Sequence, residues 1–210
     1  MMSFPHSAVV VVDGLSFALN GQNVSYRLRV GEASGDLIGC HFGGVVDEDP
    51  PAQLARHNGG WSEHAHERRE FPDLGRGDFR SPALHIKHQA GHTVSHFKYK
   101  SHVVVPGKPA LPGLPCTFGG EDDVTTLVLR LEDSYSNVVA ELSYSVFPKF
   151  DAIVRSVKIT NNGKEKISIE KLASFSVDFP YSEYEMLQLQ GEWTRECHRI
   201  RRKVDYGTQG

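Results

Sequence analysis

No apolar run in this chain approaches the ~20 residues that a membrane-spanning helix needs. The opening residues, Met1-Met-Ser-Phe-Pro-His-Ser7, carry neither the basic segment nor the sustained apolar run of a secretory leader, and Val9–Val12 is too short to supply one. A cytoplasmic location is therefore favoured over a secreted one. There are only three cysteines, Cys40, Cys116 and Cys197, odd in number and far apart, so no disulfide framework is implied. Basic residues are not in excess: 23 Lys and Arg against 26 Asp and Glu leave a net charge of −3, which argues against nucleic acid as a partner. There is no convincing amphipathic helix, nucleophile elbow, phosphate loop or metal-binding helix, and nothing singles out an acid/base pair of carboxylates. No cofactor or metal is called for, and the residues themselves name no catalytic group.

The sequence does contain strands. Val124–Leu131, Val138–Phe147, Ala152–Thr160 and Lys166–Val177 read as consecutive antiparallel β-strands. Leu127, Leu129 and Leu131 recur at the two-residue period, as do Val138, Ala140, Leu142, Tyr144 and Val146. Ile153, Val157 and Ile159 face one way, with Ser156 and Lys158 opposite. The joints are turn chemistry, and Asn162-Gly163 is the strongest hairpin signal because a type I′ turn needs positive φ at both centres. Such a meander has one apolar face, which a second layer must cover. Upstream, Ala8–Val12, Leu15–Leu19, Val24–Val30 and Asp36–Phe42 are short strands, and Ala83–His88 and Thr93–Val105 follow later. Between them, from Val45 to Phe71, the periodicity dissolves into a long loop, a class of segment that is usually functional or disordered. The expectation is an all-β antiparallel sandwich, and 210 residues suffice to bury roughly 70% of the unfolded surface.

Several smaller signals have bland readings. Arg76-Gly77-Asp78 spells an adhesion tripeptide, but three-residue matches arise by chance, so a turn is expected. Pro106, Pro109, Pro112 and Pro115 repeat at the polyproline period, here an extended connection between strands. His57, His64 and His66, or His85, His88 and His92, have the ligand type of a zinc site without its spacing, so surface histidines are expected. Asn23-Val24-Ser25 is a glycosylation sequon only if the chain is secreted. Arg199, Arg201 and Lys203 share one strand face, expected to be solvated or in contact with another domain.

Longer motifs occur in a fixed order: Asp13-Gly-Leu-Ser-Phe17, Gly35-Asp-Leu-Ile-Gly39 with His41-Phe-Gly43, and Arg69-Glu-Phe-Pro72 with Gly77-Asp-Phe-Arg80. Ser101-His102, Gly107–Pro115, Asp151–Ser156, Ser176–Pro180, Gly191–Glu196 and Arg201-Arg202 complete the series. On these motifs the whole chain resembles the amino-terminal domain of α-galactosidases of glycoside hydrolase family 36, above all the fungal members. The resemblance implies a β-supersandwich of the galactose mutarotase type, spanning residues 1–210 and preceding a (β/α)8 barrel. It implies an enzyme that removes terminal α-linked galactose from melibiose- or raffinose-type saccharides with retention, using two barrel aspartates that this chain would not hold. It further implies a homo-oligomer, a tetramer, with no role for nucleic acid or membrane. Trp193, in Gly191-Glu-Trp-Thr-Arg195, looks like the tryptophan that family members extend to a galactose pocket; the alternative is a core or rim tryptophan. An acidic residue from the long loop is implied as a second substrate contact, Asp49 being taken from among Asp47, Glu48 and Asp49. Two other readings stay open: a free-standing sugar-binding module, or a mutarotase-like epimerase in which a histidine and a glutamate converge on a concave sheet face.

Overall fold

Strands with one apolar face are stable only when that face is covered, and the chain achieves this by stacking two layers. The computed structural model describes residues 8–46, 68–179 and 183–205. β1 (Val9–Val12), β2 (Ser16–Asn20), β3 (Val24–Val30) and β4 (Leu37–Gly44) form an antiparallel sheet in sequence order. β5 (Leu84–His88) follows. β6 (Lys98–Pro106), β7 (Thr125–Asp133), β8 (Val138–Phe147) and β9 (Ala152–Asn161) make a second antiparallel sheet, again in sequence order. β10 (Ile167–Leu172) then pairs with β5.

The expected meander holds through its first three strands, with Leu129 opposite Leu142 and Leu142 opposite Val157. Its central face, Leu127, Leu129, Leu131, Ala140, Leu142 and Tyr144, is wholly buried. It meets Phe17, Leu19, Tyr26 and Leu28 of the first sheet and Leu84 and Ile86 of β5. Each such leucine contributes about 1.5–3 kcal/mol by leaving water. Among the described residues the only helical turn is a 3-10 turn at Pro148–Phe150, and no helix is long and apolar enough to cross a membrane.

The fourth strand of the meander departs from expectation. Lys166–Val177 does not pair with β9; its ordered part is β10, which crosses to β5 in the opposite layer. The Asn162-Gly163 corner is correspondingly not a I′ turn, since neither residue has positive φ. The glycine is required for another reason: a Cβ at Gly163 would lie 2.3 Å from the Ser136 carbonyl oxygen. Close approach of two backbones, rather than turn handedness, selects glycine there. Thr93–Val105 is likewise a strand only from Lys98, because Ser95 and Phe97 use their amides on Leu74 and on the Asp73 carboxylate instead of a ladder. The proline-bearing stretch after β6 is an irregular connection tied at its ends, with Gly107 N–H to Val124 O and Lys108 N–H to Gly119 O.

The end of the loop expected to lack order is a structural joint. Gly39 N–H donates to Arg68 O, Glu70 N–H to Leu37 O, and Ala83 N–H to Pro72 O. Residues 68–73 thereby bridge the edge of β4 to the edge of β5, joining the first sheet and the β5–β10 pair into one layer. The segment also carries charge inward. Arg69 donates to Asp73 Oδ1 at 2.7 Å and to Asp78 Oδ2 at 2.9 Å. Arg76 reaches Asp36 and Asp73, and Arg80 grips Asp78 at 2.7 Å. Both charged members of the Arg76-Gly77-Asp78 tripeptide are thus committed inside the fold, as the turn reading expects. Burial opposes ionisation of Asp78, but hydrogen bonds from Arg80 and Arg69 outweigh it and hold the carboxyl at about 2.

Contacts divide the chain into two compact units, Met1–Val177 and Asp178–Gly210. The second contains one antiparallel hairpin, β11 (Glu185–Glu192) and β12 (Arg195–Lys203).

Two tests of this packing follow. Leu142→Ala, at a position with 0% exposure, is expected to cost about 2–5 kcal/mol. Lys158→Ala, on the solvent side of β9, is expected to stay within about 0.5 kcal/mol; equal urea midpoints for the two would contradict the register. The second test is acid titration. The Asp78 pKa is depressed in the folded state, so its contribution is complete above the unfolded value of about 3.9 and is lost as pH falls towards about 2. Asp78→Asn should be destabilised near neutrality by about 3–5 kcal/mol, because Arg69 is left buried without one of its two partners. It should also show a shallower fall of Tm between pH 4 and pH 2; a parallel fall would place the acid sensitivity elsewhere.

Candidate functional site

β11 and β12 pair from Glu185 opposite Lys203 to Glu192 opposite Arg195, with one irregularity between Gln190 and Glu192. Trp193 and Thr194 form the two-residue connection. Thr194 takes positive φ (65°), and its N–H donates to Glu196 Oε1 at 3.1 Å. Gly191 is needed for close approach: a Cβ there would lie 2.4 Å from the Arg195 carbonyl oxygen. Glu192 and Arg195 pair across the base of the turn at 3.6 Å. The result is an indole held out at the hairpin tip, with 89% exposure. At that exposure the indole is not packed in a core among the described residues; both a ligand contact and a rim position accord with it. A solvent-facing indole flanked by a carboxylate and a guanidinium suits a ligand with an apolar C–H face and a hydroxyl rim.

The same hairpin carries the basic run. Arg199, Arg201 and Lys203 lie opposite Leu189, Leu187 and Glu185, so one face mixes exposed leucines with cations. Asp49 lies outside the described residues, as do His57, His64 and His66.

Within the first unit, two sequence candidates find other roles. Among the described residues no group of three His, Cys, Asp or Glu side chains is arranged to hold a metal. His88 and His92 stack with centroids 4.4 Å apart, while His85 Nε2 is buried without a partner. In the sequon, Asn23 Nδ2 donates to Asp151 Oδ2 at 2.7 Å and Ser25 is buried, so the folded chain offers no free acceptor amide there.

The carboxylate between the two layers is Glu70, which sequence reasoning passed over. Tyr26 and Tyr144 both donate their hydroxyls to it, Tyr144 at 2.7 Å. Arg155 Nη1 lies 3.3 Å away, and its guanidinium sits over the Tyr144 ring at 5.3 Å. Burial and then the Glu70 charge push both phenols well above their ordinary value, so they stay protonated donors. A glutamate with tyrosine and arginine partners and no histidine is not the proton-shuttling pair of an epimerase. The available signal was the density of charge in Arg68–Glu70, which in a sandwich has to be either surface or paired.

With this geometry in hand, similarity to known proteins becomes informative. The family model for the Glycosyl hydrolase family 36 N-terminal domain matches residues 35–210. The chain belongs to this family. It is 62% identical over 205 residues to Alpha-galactosidase 2 of Hypocrea jecorina, covering 96% of this chain and 27% of that protein. The crystal structure of the α-galactosidase from Lactobacillus brevis superposes with a TM-score of 0.89 at 29% identity, over 95% of this chain and 29% of that one. A Geobacillus stearothermophilus family 36 α-galactosidase in complex with raffinose does so with a TM-score of 0.84 at 30% identity, over 92% of this chain and 29% of its own. The chain thus spans about a quarter to a third of the length of the relatives it matches, and the antiparallel β-supersandwich is that of their amino-terminal domains.

An indole 89% exposed contributes little to the core. Trp193→Ala is therefore expected to change folding stability by no more than about 0.5 kcal/mol. A loss of several kcal/mol in a thermal melt would return Trp193 to the core.

Proposed function

We propose that this chain is the non-catalytic amino-terminal domain of a retaining α-galactosidase acting on terminal α-linked galactose of raffinose-type saccharides. The observation carrying this is near-complete coverage of the chain by a fungal α-galactosidase at 62% identity, while the chain accounts for 27% of that protein's length. Retention requires two carboxyl groups about 5–5.5 Å apart, one to attack the anomeric carbon and one to protonate the leaving oxygen. Among the described residues the buried carboxylates are already occupied, which supports this reading: Asp36, Asp73, Asp78 and Glu70 are each engaged by arginine, and Asp133 accepts from Tyr135 N–H and the Ser136 hydroxyl. The pair belongs, on this reading, to the length of the relatives that this chain does not span. Asp49 is offered as an acidic contact to the sugar and Trp193 as its stacking partner, within a homo-oligomer in which the indole reaches a galactose pocket.

The stacking term can be sized. Covering about 100 Å² of apolar surface between indole and galactose gives roughly 2.5 kcal/mol as an upper value. Ordering costs reduce it, so Trp193→Ala in the longer protein should lower kcat/KM about 10- to 50-fold, near 1.4–2.3 kcal/mol. Because the indole touches sugar and not the breaking bond, most of the loss belongs in KM. The 210-residue chain alone should not turn over p-nitrophenyl α-galactoside. Turnover by the purified chain, or an unchanged KM in the variant, would remove the corresponding half of the proposal.

A further inference from the structure

An open cleft of ≈ 440 Å³ lies where the turn after β7 faces the corner between β9 and β10. The stacked His88 and His92 rings form one wall, and the Tyr135 ring stands edge-on to His92 at 6.1 Å, with 82% exposure. Asn137, Asn162, Lys164 and Glu165 also line the cleft. His92 and Tyr135 also line a second hollow of ≈ 290 Å³, bordered by Val94. The two rings therefore partition a polar hollow from a greasier one.

We propose that this cleft is a carbohydrate-binding site taking a neutral mono- or disaccharide. An anion is disfavoured because the single cation of the wall, Lys164, adjoins Glu165, and the second hollow adds Asp133. A metal is disfavoured because His88 Nε2 is engaged by Ser95 Oγ at 3.1 Å and no three ligand side chains gather among the described residues. Burial, then the neighbouring His92, push His88 below its ordinary range, so its ring is uncharged near neutrality. Aromatic rings lining a cleft together with two asparagines match a ligand ring with C–H faces and a hydroxyl rim. The walls are also set in advance. Asn162 N–H donates to Asn137 O at 3.0 Å, Gly163 N–H to Asn161 Oδ1 at 2.9 Å, and Asn137 is held at φ 57°. Preorganised walls lower the ordering cost of binding.

The site is inferred from the cleft itself and does not require the proposed activity. The test titrates the 210-residue chain with melibiose while NMR follows the His88 and His92 ring C–H signals and the indole N–H signals. Saturable shifts of both imidazoles are expected, with Kd on the order of 1 mM, as for a small ligand making few contacts. Tyr135→Ala should weaken them at least tenfold at unchanged Tm, Lys164→Ala less, and Trp193→Ala not at all. Imidazole signals that do not move, or shifts that survive Tyr135→Ala, overturn the site. Shifts confined to the Trp193 indole would also overturn it while supporting the hairpin contact. Absence of α-galactosidase activity in the longer protein would leave the imidazole shifts intact.

Discussion

Arginine 69 and its partners constrain more of this structure than any apolar contact. Its guanidinium lies between Asp73 and Asp78, Asp73 is shared with Arg76, and Arg76 reaches back to Asp36 next to β4. Removing such ions from water costs several kcal/mol each unless every charge meets an opposite one. Three carboxylates and three guanidiniums satisfy that condition only when residues 68–80 lie as they do. The same segment supplies the backbone bridges that join two sheets into one layer. Glu70, its next residue, is carried to the interior, where Tyr26 from one layer and Tyr144 from the other close on it.

That joint explains why the second layer is a four-stranded meander and the first is composite. β7 and β8 bury leucines and a tyrosine along their whole length, so apolar area dominates the inner face of β6–β9. The opposite layer has fewer apolar residues per strand and is completed by ion pairs and by β10, which leaves the meander to lie beside β5. The crossing of β10 places the 162–165 corner against the turn after β7, and the cleft beside His88 and His92 is a consequence of that crossing.

The second unit follows a different logic. A two-stranded hairpin in isolation is marginal in water, yet this one leaves Leu187, Leu189 and Trp193 more than half exposed. Its tip is built from local chemistry: a glycine where backbones approach, a positive-φ threonine, and an ion pair across the turn. These features hold an aromatic group outward at the hairpin tip.

Sequence alone determined the all-β class and most strands of the first unit, the inward faces of β7, β8 and β9, and the family. Two-residue periodicity is a local property, and the motifs lie along the chain in order. It also singled out Trp193, since Gly-Glu-Trp-Thr-Arg is a contiguous pattern. Tertiary structure decided whatever depends on residues far apart. The partner of β10 is set by an edge about eighty residues upstream, so a corner whose glycine serves close approach reads as a hairpin. The partners of Arg69, Glu70 and Arg155 could not be read from sequence, because a charged side chain looks the same whether it meets water or a buried counterion. His88, His92 and Tyr135 form a wall only because β5, the segment after it and the turn after β7 converge, and no spacing rule spans three separate elements.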